Sequence, residues 1–255
     1  MKLSTRLYIL GGFSLVALLV TVLVDPIAQD LSYHNFADQR QLLGIPNFWN
    51  VISNLPFLLF GLAGSFSLRA SVPTGGLLKL RPAYSIFFAG VAFTAFGSGY
   101  YHLNPNNETL VWDRLSMSVA FMAFFSIVIS EYISLRWGRR LLLPLLIVGL
   151  VSVYYWSYTE AAGQGDLRPY GLVQFLPALL IPAILLMFPS PFGNSVYIWA
   201  MLGCYLVAKL FEFLDVPLFE ATGMSGHAIK HLAAAGGGLF FYLALLRRKR
   251  FRFNP

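Results

Sequence analysis

The chain has 255 residues, of which 57% are hydrophobic and only 11% charged, and its mean hydropathy is +0.67. A soluble domain carries about 25% charged residues, so the composition excludes a soluble enzyme or binding module and indicates a polytopic membrane protein. The formal net charge of +7 would suit a nucleic-acid binder, but its distribution is that of a topology signal and no nucleic-acid partner is expected.

Apolar runs of about 17–25 residues, the length that crosses the hydrocarbon core of a bilayer, recur near 6–24, 48–69, 82–102, 110–134, 141–158, 170–188, 195–213 and 226–246. The first, in "MKLSTRLYILGGFSLVALLVTVLV", has the basic start of a signal peptide. Its length, and the absence of a small-x-small site after it, predict a retained span instead. Pro56, Pro144, Pro177 and Pro182 fall inside spans and are expected to kink them without breaking them. Cys204, the single cysteine, lies in the seventh span, excludes an intrachain disulfide or a multi-thiolate site, and is read as packing. The "AAAGGG" run at 233–238 should let a neighbouring helix approach the last span closely. No internal repeat and no carboxylate-rich path argue for a transporter.

In an eight-span topology Lys2, Arg6, Arg69, Lys79, Arg81, Arg136, Arg139, Arg140 and the tail "RRKRFR" all fall on one side. Basic connections face the cytoplasm, so both termini are expected there. The opposite connections carry Asp25, Asp30, Asp38, Glu108, Glu160, Asp166, Asp215 and Glu220, with only Arg40 and Arg168 clearly basic and Arg114 at a helix start.

The last span opens with "GHAIKHL", residues 226–232. His227 and His231 are four apart, so a helix places both imidazoles on one face, where they can converge on one metal ion. Ionisable side chains within membrane spans are costly and tend to be functional. His102 ends the third span in "GSGYYHLNPNN", at the same outer level. Three converging imidazoles make an open Zn2+ site whose fourth position takes a water with its pKa lowered to about 7, the arrangement of a hydrolase. Ser98 precedes His102 by four residues on the same helical face, and Asp113 lies just past the short outer loop. The aspartate can exchange a proton with the attacking water, and the serine hydroxyl can donate to an oxyanion. Plainer readings exist for each: His102 as an interfacial residue, Asp113 as a complement to its helix dipole and Ser98 as a small packing residue.

Together, Ser98-x3-His102, Asp113 and His227-x3-His231, with "NFWNVISNLPFLLFG" at 47–61, resemble the alkaline ceramidase family, within the superfamily that includes adiponectin-receptor-like membrane hydrolases. The resemblance implies an all-α membrane protein: a seven-helix transmembrane bundle core over 47–255, preceded over 1–46 by one additional N-terminal transmembrane helix and an outer loop. It implies zinc held by His102, His227 and His231, Asp113 as the proton-transfer group and Ser98 assisting the oxyanion. The implied reaction is cleavage of ceramide to a sphingoid base and a free fatty acid by zinc-bound water, with the substrate arriving sideways from the outer leaflet. The active site would face the periplasmic or lumenal side. The family's calcium site is not reproduced, because Asn47 stands where a glutamate precedes the Phe-Trp-Asn triplet, and Asp30 and Asp38 do not have the spacing of its acidic motif. The acidic set implied for Ca2+ is therefore incomplete here, though a carbonyl from Asn47 could still ligate.

Alternatives from other classes are a receptor or sensor built on the same metal-holding bundle, a hydrolase of another acyl lipid, and a structural protein whose histidines bond between helices. Among the remaining polar residues, Lys209 and Glu212 are expected to pair. Glu131 is expected to reach the headgroups, Lys230 to project from a different face than His231, and His34 to be solvated or interfacial.

Overall fold

Hydrocarbon offers no partner for backbone N–H and C=O groups, so a chain this apolar closes its hydrogen bonds within helices. The computed structural model describes residues 1–192 and 195–250; Arg252, the last base of the tail, lies outside them. The helices are α1 Leu3–Leu23, α2 Phe48–Ile52, α3 Leu55–Ser67, α4 Arg81–Leu103, α5 Asn107–Val128, α6 Leu135–Ala161, α7 Arg168–Met187, α8 Val196–Phe213, α9 Asp215–Thr222 and α10 Gly226–Arg247. A π-turn at Ile129–Ile133 continues α5, and α2 with α3 makes one span. Among the described residues seven spans are long and apolar enough to cross a membrane, and the chain is an all-α integral membrane protein. The eighth expected span, α4, has 23 residues but is diluted by Gly, Ser, Thr and Tyr, and it runs between α3 and α5 in the interior.

Glycines set the spacing of these three helices. Gly61 and Gly64 of α3 face Ala92 and Phe88 of α4, while Gly90 and Gly97 of α4 face Ala120 and the Trp112 carbonyl of α5. A Cβ at any of the four would collide with its neighbour, so small residues permit the close approach that dispersion rewards in a membrane. Deeper in the bundle Phe87, Phe88, Phe124 and Phe241 interlock, with Phe241 edge-on to Phe87 at 4.9 Å and to Phe124 at 5.4 Å between ring centroids. The small run of α10 behaves as expected, with Gly236 against Cys204 and Gly237 against Met201 of α8. By contrast α1 is peripheral: Leu10 is its only buried residue, and it packs along α7.

The connection after α1 is fastened to the turn between α6 and α7. Leu167 donates its N–H to the Ile27 carbonyl at 2.7 Å, and Arg168 bonds the Val24 carbonyl. Two further bonds from Arg168, at 2.8 Å each, hold the Asp166 carboxyl below its ordinary range.

Two expectations are corrected here. Pro144, Pro177 and Pro182 lie inside continuous helices, but the second span is interrupted at Ser53–Asn54, just before Pro56. Proline lacks an N–H and its ring crowds the carbonyl four residues back, so the ladder yields there. Nor does Glu131 reach the headgroups. Arg248 grips it with bonds of 2.9 and 3.0 Å, and Tyr84 donates its hydroxyl at 2.7 Å. The same guanidinium bonds the Gly75 carbonyl at 2.9 Å and lies 4.1 Å from the Phe192 ring centroid. A buried carboxylate is costly without a fixed partner, and the folded chain brings one from beyond the end of α10.

Breaking one side of this pair strands the other charge. Glu131→Gln should lower stability by about 3–5 kcal/mol, seen as a drop in the midpoint of thermal unfolding in detergent. Replacing both partners, as Glu131→Leu with Arg248→Met, should recover much of that loss. An unchanged midpoint in the single variant would remove the pair from the account of stability.

Candidate metal centre

α10 begins at a firmly capped end. Ser225 accepts the Ala228 N–H at 3.0 Å, and Asp215 accepts the His227 N–H at 2.9 Å and the Ala37 N–H at 3.0 Å. This fixes the first turn of α10, and with it His227 and His231, against the outer loop. His102, in the last turn of α4, comes to the same level. The three rings stand 4.9 Å apart in every pairing, and one ligand nitrogen from each lies within 4.8 Å of the others. They are 0%, 5% and 6% exposed for His102, His227 and His231.

The hydrogen-bond inventory bears on whether these residues suit a metal. Both ring nitrogens of His102 and Nε2 of His227 are buried without a partner. An unmet buried polar atom costs about 1–3 kcal/mol, and a cation that took one lone pair from each ring would relieve one nitrogen of His102 and Nε2 of His227 together. His231 is different: the Ser53 hydroxyl gives its own proton to the Asn50 carbonyl at 3.2 Å, so its oxygen accepts from Nδ1–H at 2.8 Å, and the Asn54 side-chain amide packs beside the same edge of the ring. That leaves Nε2 as its free nitrogen, the usual manner in which an outer hydrogen bond fixes the orientation of a ligating imidazole. The interruption before Pro56 is what turns Ser53 and Asn54 toward α10. The sequence carried a signal for this pair, since Ser-Asn before a proline inside a span marks backbone loosening with polar side chains beside it.

Ser98 and Asp113 are 2% and 8% exposed and come near each other across the α4–α5 contact at Gly97. Both line, with His231, a cavity of about 390 Å³, within the roughly 300–1,000 Å³ of small-molecule sites. The cavity is amphipathic. Beyond Asp113 it descends between α4, α5, α7, α8 and α10 to Phe57, Phe87, Phe124, Ile181 and Leu202. On the other side Phe36 covers the histidines, its ring centroid 4.7 Å from that of His102 and 4.3 Å from that of His227.

Several outer residues differ from expectation. Lys209 and Glu212 do pair, at 2.7 Å, but Lys230 joins the same carboxylate and lines the cavity instead of turning to the headgroups. A half-buried carboxylate beside two ammonium groups outweighs the reach of one lysine to water. His34 is clasped between the Tyr101 hydroxyl and Asn107 Oδ1, each at 2.9 Å. Arg114 is not at a helix start but about two turns into α5, buried against Trp156 and Tyr170. Both carboxylate oxygens of Asp38 are taken by Arg40, at 2.8 and 2.6 Å. Asp30 caps the turn Leu31–His34, and Asn47 donates its amide to the His102 carbonyl at 3.0 Å. A guanidinium thus stands on Asp38 where a calcium cluster would need an open carboxylate.

Residues 43–164 match the Ceramidase family model. The matched stretch includes Ser98, His102 and Asp113 and the polar break at Ser53–Asn54, whereas His227 and His231 lie beyond it and join the set through geometry. No curated protein matches the chain.

Ser53→Ala combined with Asn54→Ala should weaken affinity for Zn2+ by about 10–100-fold, measured by competition with a chelator. Affinity equal to that of the parent would mean that these two side chains do not orient His231.

Proposed function

We propose that the chain is a zinc-dependent intramembrane hydrolase of lipid amides, ceramidase-like, cleaving ceramide or a related acyl amide to an amine-bearing base and a free fatty acid. The observation that carries this reading is the convergence of three buried histidines, two of them with unpartnered nitrogens, where the third, His231, joins Ser98 and Asp113 in lining one amphipathic cavity. The match to the Ceramidase family model supports the reaction class.

His102, His227 and His231 would hold the zinc. When bound, the ion supplies a Lewis acid that makes a water nucleophilic at neutral pH. Asp113 takes a proton from that water and returns it to the nitrogen of the leaving amine, the step an amide needs most. Ser98 donates its hydroxyl to the carbonyl oxygen as charge gathers there. The apolar depth of the cavity takes the acyl chain. Phe36 keeps bulk water off the histidines from the loop side, so the substrate reaches them from within the bundle. Asp38, Asn50 and Ser225 brace that loop: Asn50 donates to the Asp38 carbonyl at 3.1 Å and accepts from the Ser225 hydroxyl at 3.3 Å.

On this reading residues 47–255 are the catalytic core and 1–46 an added span and loop. The basic connections support a topology with both termini in the cytoplasm and the site toward the periplasmic or lumenal face.

Purified wild type, His231→Ala and Asp113→Asn are compared for zinc content and ceramide turnover. The wild type should retain stoichiometric zinc, His231→Ala should lose it, and Asp113→Asn should keep it while turnover falls by about 10²–10⁴-fold. Folded wild type that takes up no zinc when it is supplied would overturn the reading, as would undiminished turnover in Asp113→Asn.

A further inference from the structure

The polar end of the cavity holds more cations than its own carboxylates balance. Arg114, Lys209 and Lys230 line it with Asp113 and Glu212, three positive groups against two negative ones. Lys209 and Lys230 share Glu212. Among the described residues no carboxylate lies at ion-pair distance from Arg114.

Its side chain is nonetheless held firmly. Arg114 is 6% exposed. Its guanidinium lies 3.9 Å from the Trp156 ring centroid and 4.7 Å from that of Tyr170, and Nη2 donates to Gln29 Oε1 at 2.5 Å. Glu160 fixes that clamp in turn, accepting from the Trp156 indole at 3.1 Å and from the Gln29 backbone N–H at 2.5 Å. Nη1 is buried and has no partner. A slot between two aromatic rings could be filled by methionine without burying a charge. A guanidinium there, short of one acceptor and short of a counter-charge in a membrane interior, is costly unless a ligand supplies both.

We propose that Arg114 is an anion subsite and that the substrate is an N-acyl lipid whose polar head carries a phosphate or a carboxylate close to the amide. Asp113 and Arg114 are adjacent on α5 and line the same end of the cavity, so an amide beside the first brings a neighbouring anion to the second. The planar guanidinium suits an oxyanion with two acceptor oxygens. The hydroxyl head of plain ceramide can accept one bond but leaves the charge unbalanced. The proposal rests on the hydrolase reading only for the fate of the amide; the anion subsite stands on the cavity and the unpaired guanidinium.

The test uses full-length protein in detergent and an equimolar mixture of ceramide, ceramide 1-phosphate and N-acylglycine. Bound lipid, intact or as the head-bearing product, is read by native mass spectrometry, and turnover is followed in parallel. One anionic probe should exceed ceramide by about 30-fold or more, the scale of one buried charge-assisted contact, and the winner identifies phosphate or carboxylate as the head. Arg114→Gln should erase that preference and Arg114→Lys should keep part of it. Ceramide bound as well as both anionic probes by the wild type overturns the proposal, even should the glutamine variant fail to fold, and so does a preference that survives Arg114→Gln. A preference for an anion with no cleavage of any probe upholds the subsite and rejects the hydrolase reading for these amides. Ceramide alone held and cleaved does the reverse.

Discussion

A polar side chain inside a membrane bundle has no water to turn to, and the arrangement of this protein follows from where each such group finds its partner. At one end of the bundle the accounts close. Glu131, Arg248, Tyr84 and the Gly75 carbonyl satisfy one another almost completely out of solvent, and the result is a fastening. At the other end they do not close. His102 and His227 keep unmet nitrogens, and Arg114 keeps an unmet N–H. The same physical rule separates a structural cluster from one prepared to receive something.

The unmet groups are held still by others that are fully used. Asp215 caps α10 and ties it to the loop at Ala37, Ser53 and Asn54 orient His231, and Glu160 orders both supports of Arg114. Close helix approach does the rest. Gly97 against the Trp112 carbonyl sets Ser98 opposite Asp113, and Gly237 and Gly238 leave room along the cavity wall on α10. Rigidity outside the site thus permits unsatisfied chemistry within it.

The cavity joins two solvents. Its deep half is aromatic and aliphatic, and its shallow half carries the charged side chains of α5, α8 and α10. That gradient matches a lipid with its chain in the bundle and its scissile group at the level of the histidines. With Phe36 closing the loop side, reactive groups meet a lipid before they meet bulk water, which suits the slow hydrolysis of an amide.

The amino-acid sequence determined seven of the eight expected spans among the described residues, because apolar run length is a local property that a bilayer reads directly. It also exposed His227 and His231 as a pair, since a four-residue spacing fixes a shared helical face, and the polar residues near His102 made Ser98 and Asp113 visible beside it. The break before Pro56 was half legible: the proline was plain, but whether the helix bends or parts depends on what the freed side chains can bond, and His231 is 175 or more residues away. Glu131 with Arg248, Lys230 with Glu212, Phe36 over the histidines and Arg114 between Trp156 and Tyr170 were left to the tertiary structure alone. Each is a contact between distant segments, and the direction of a long side chain is set by the partner that packing brings to it, which no local spacing encodes.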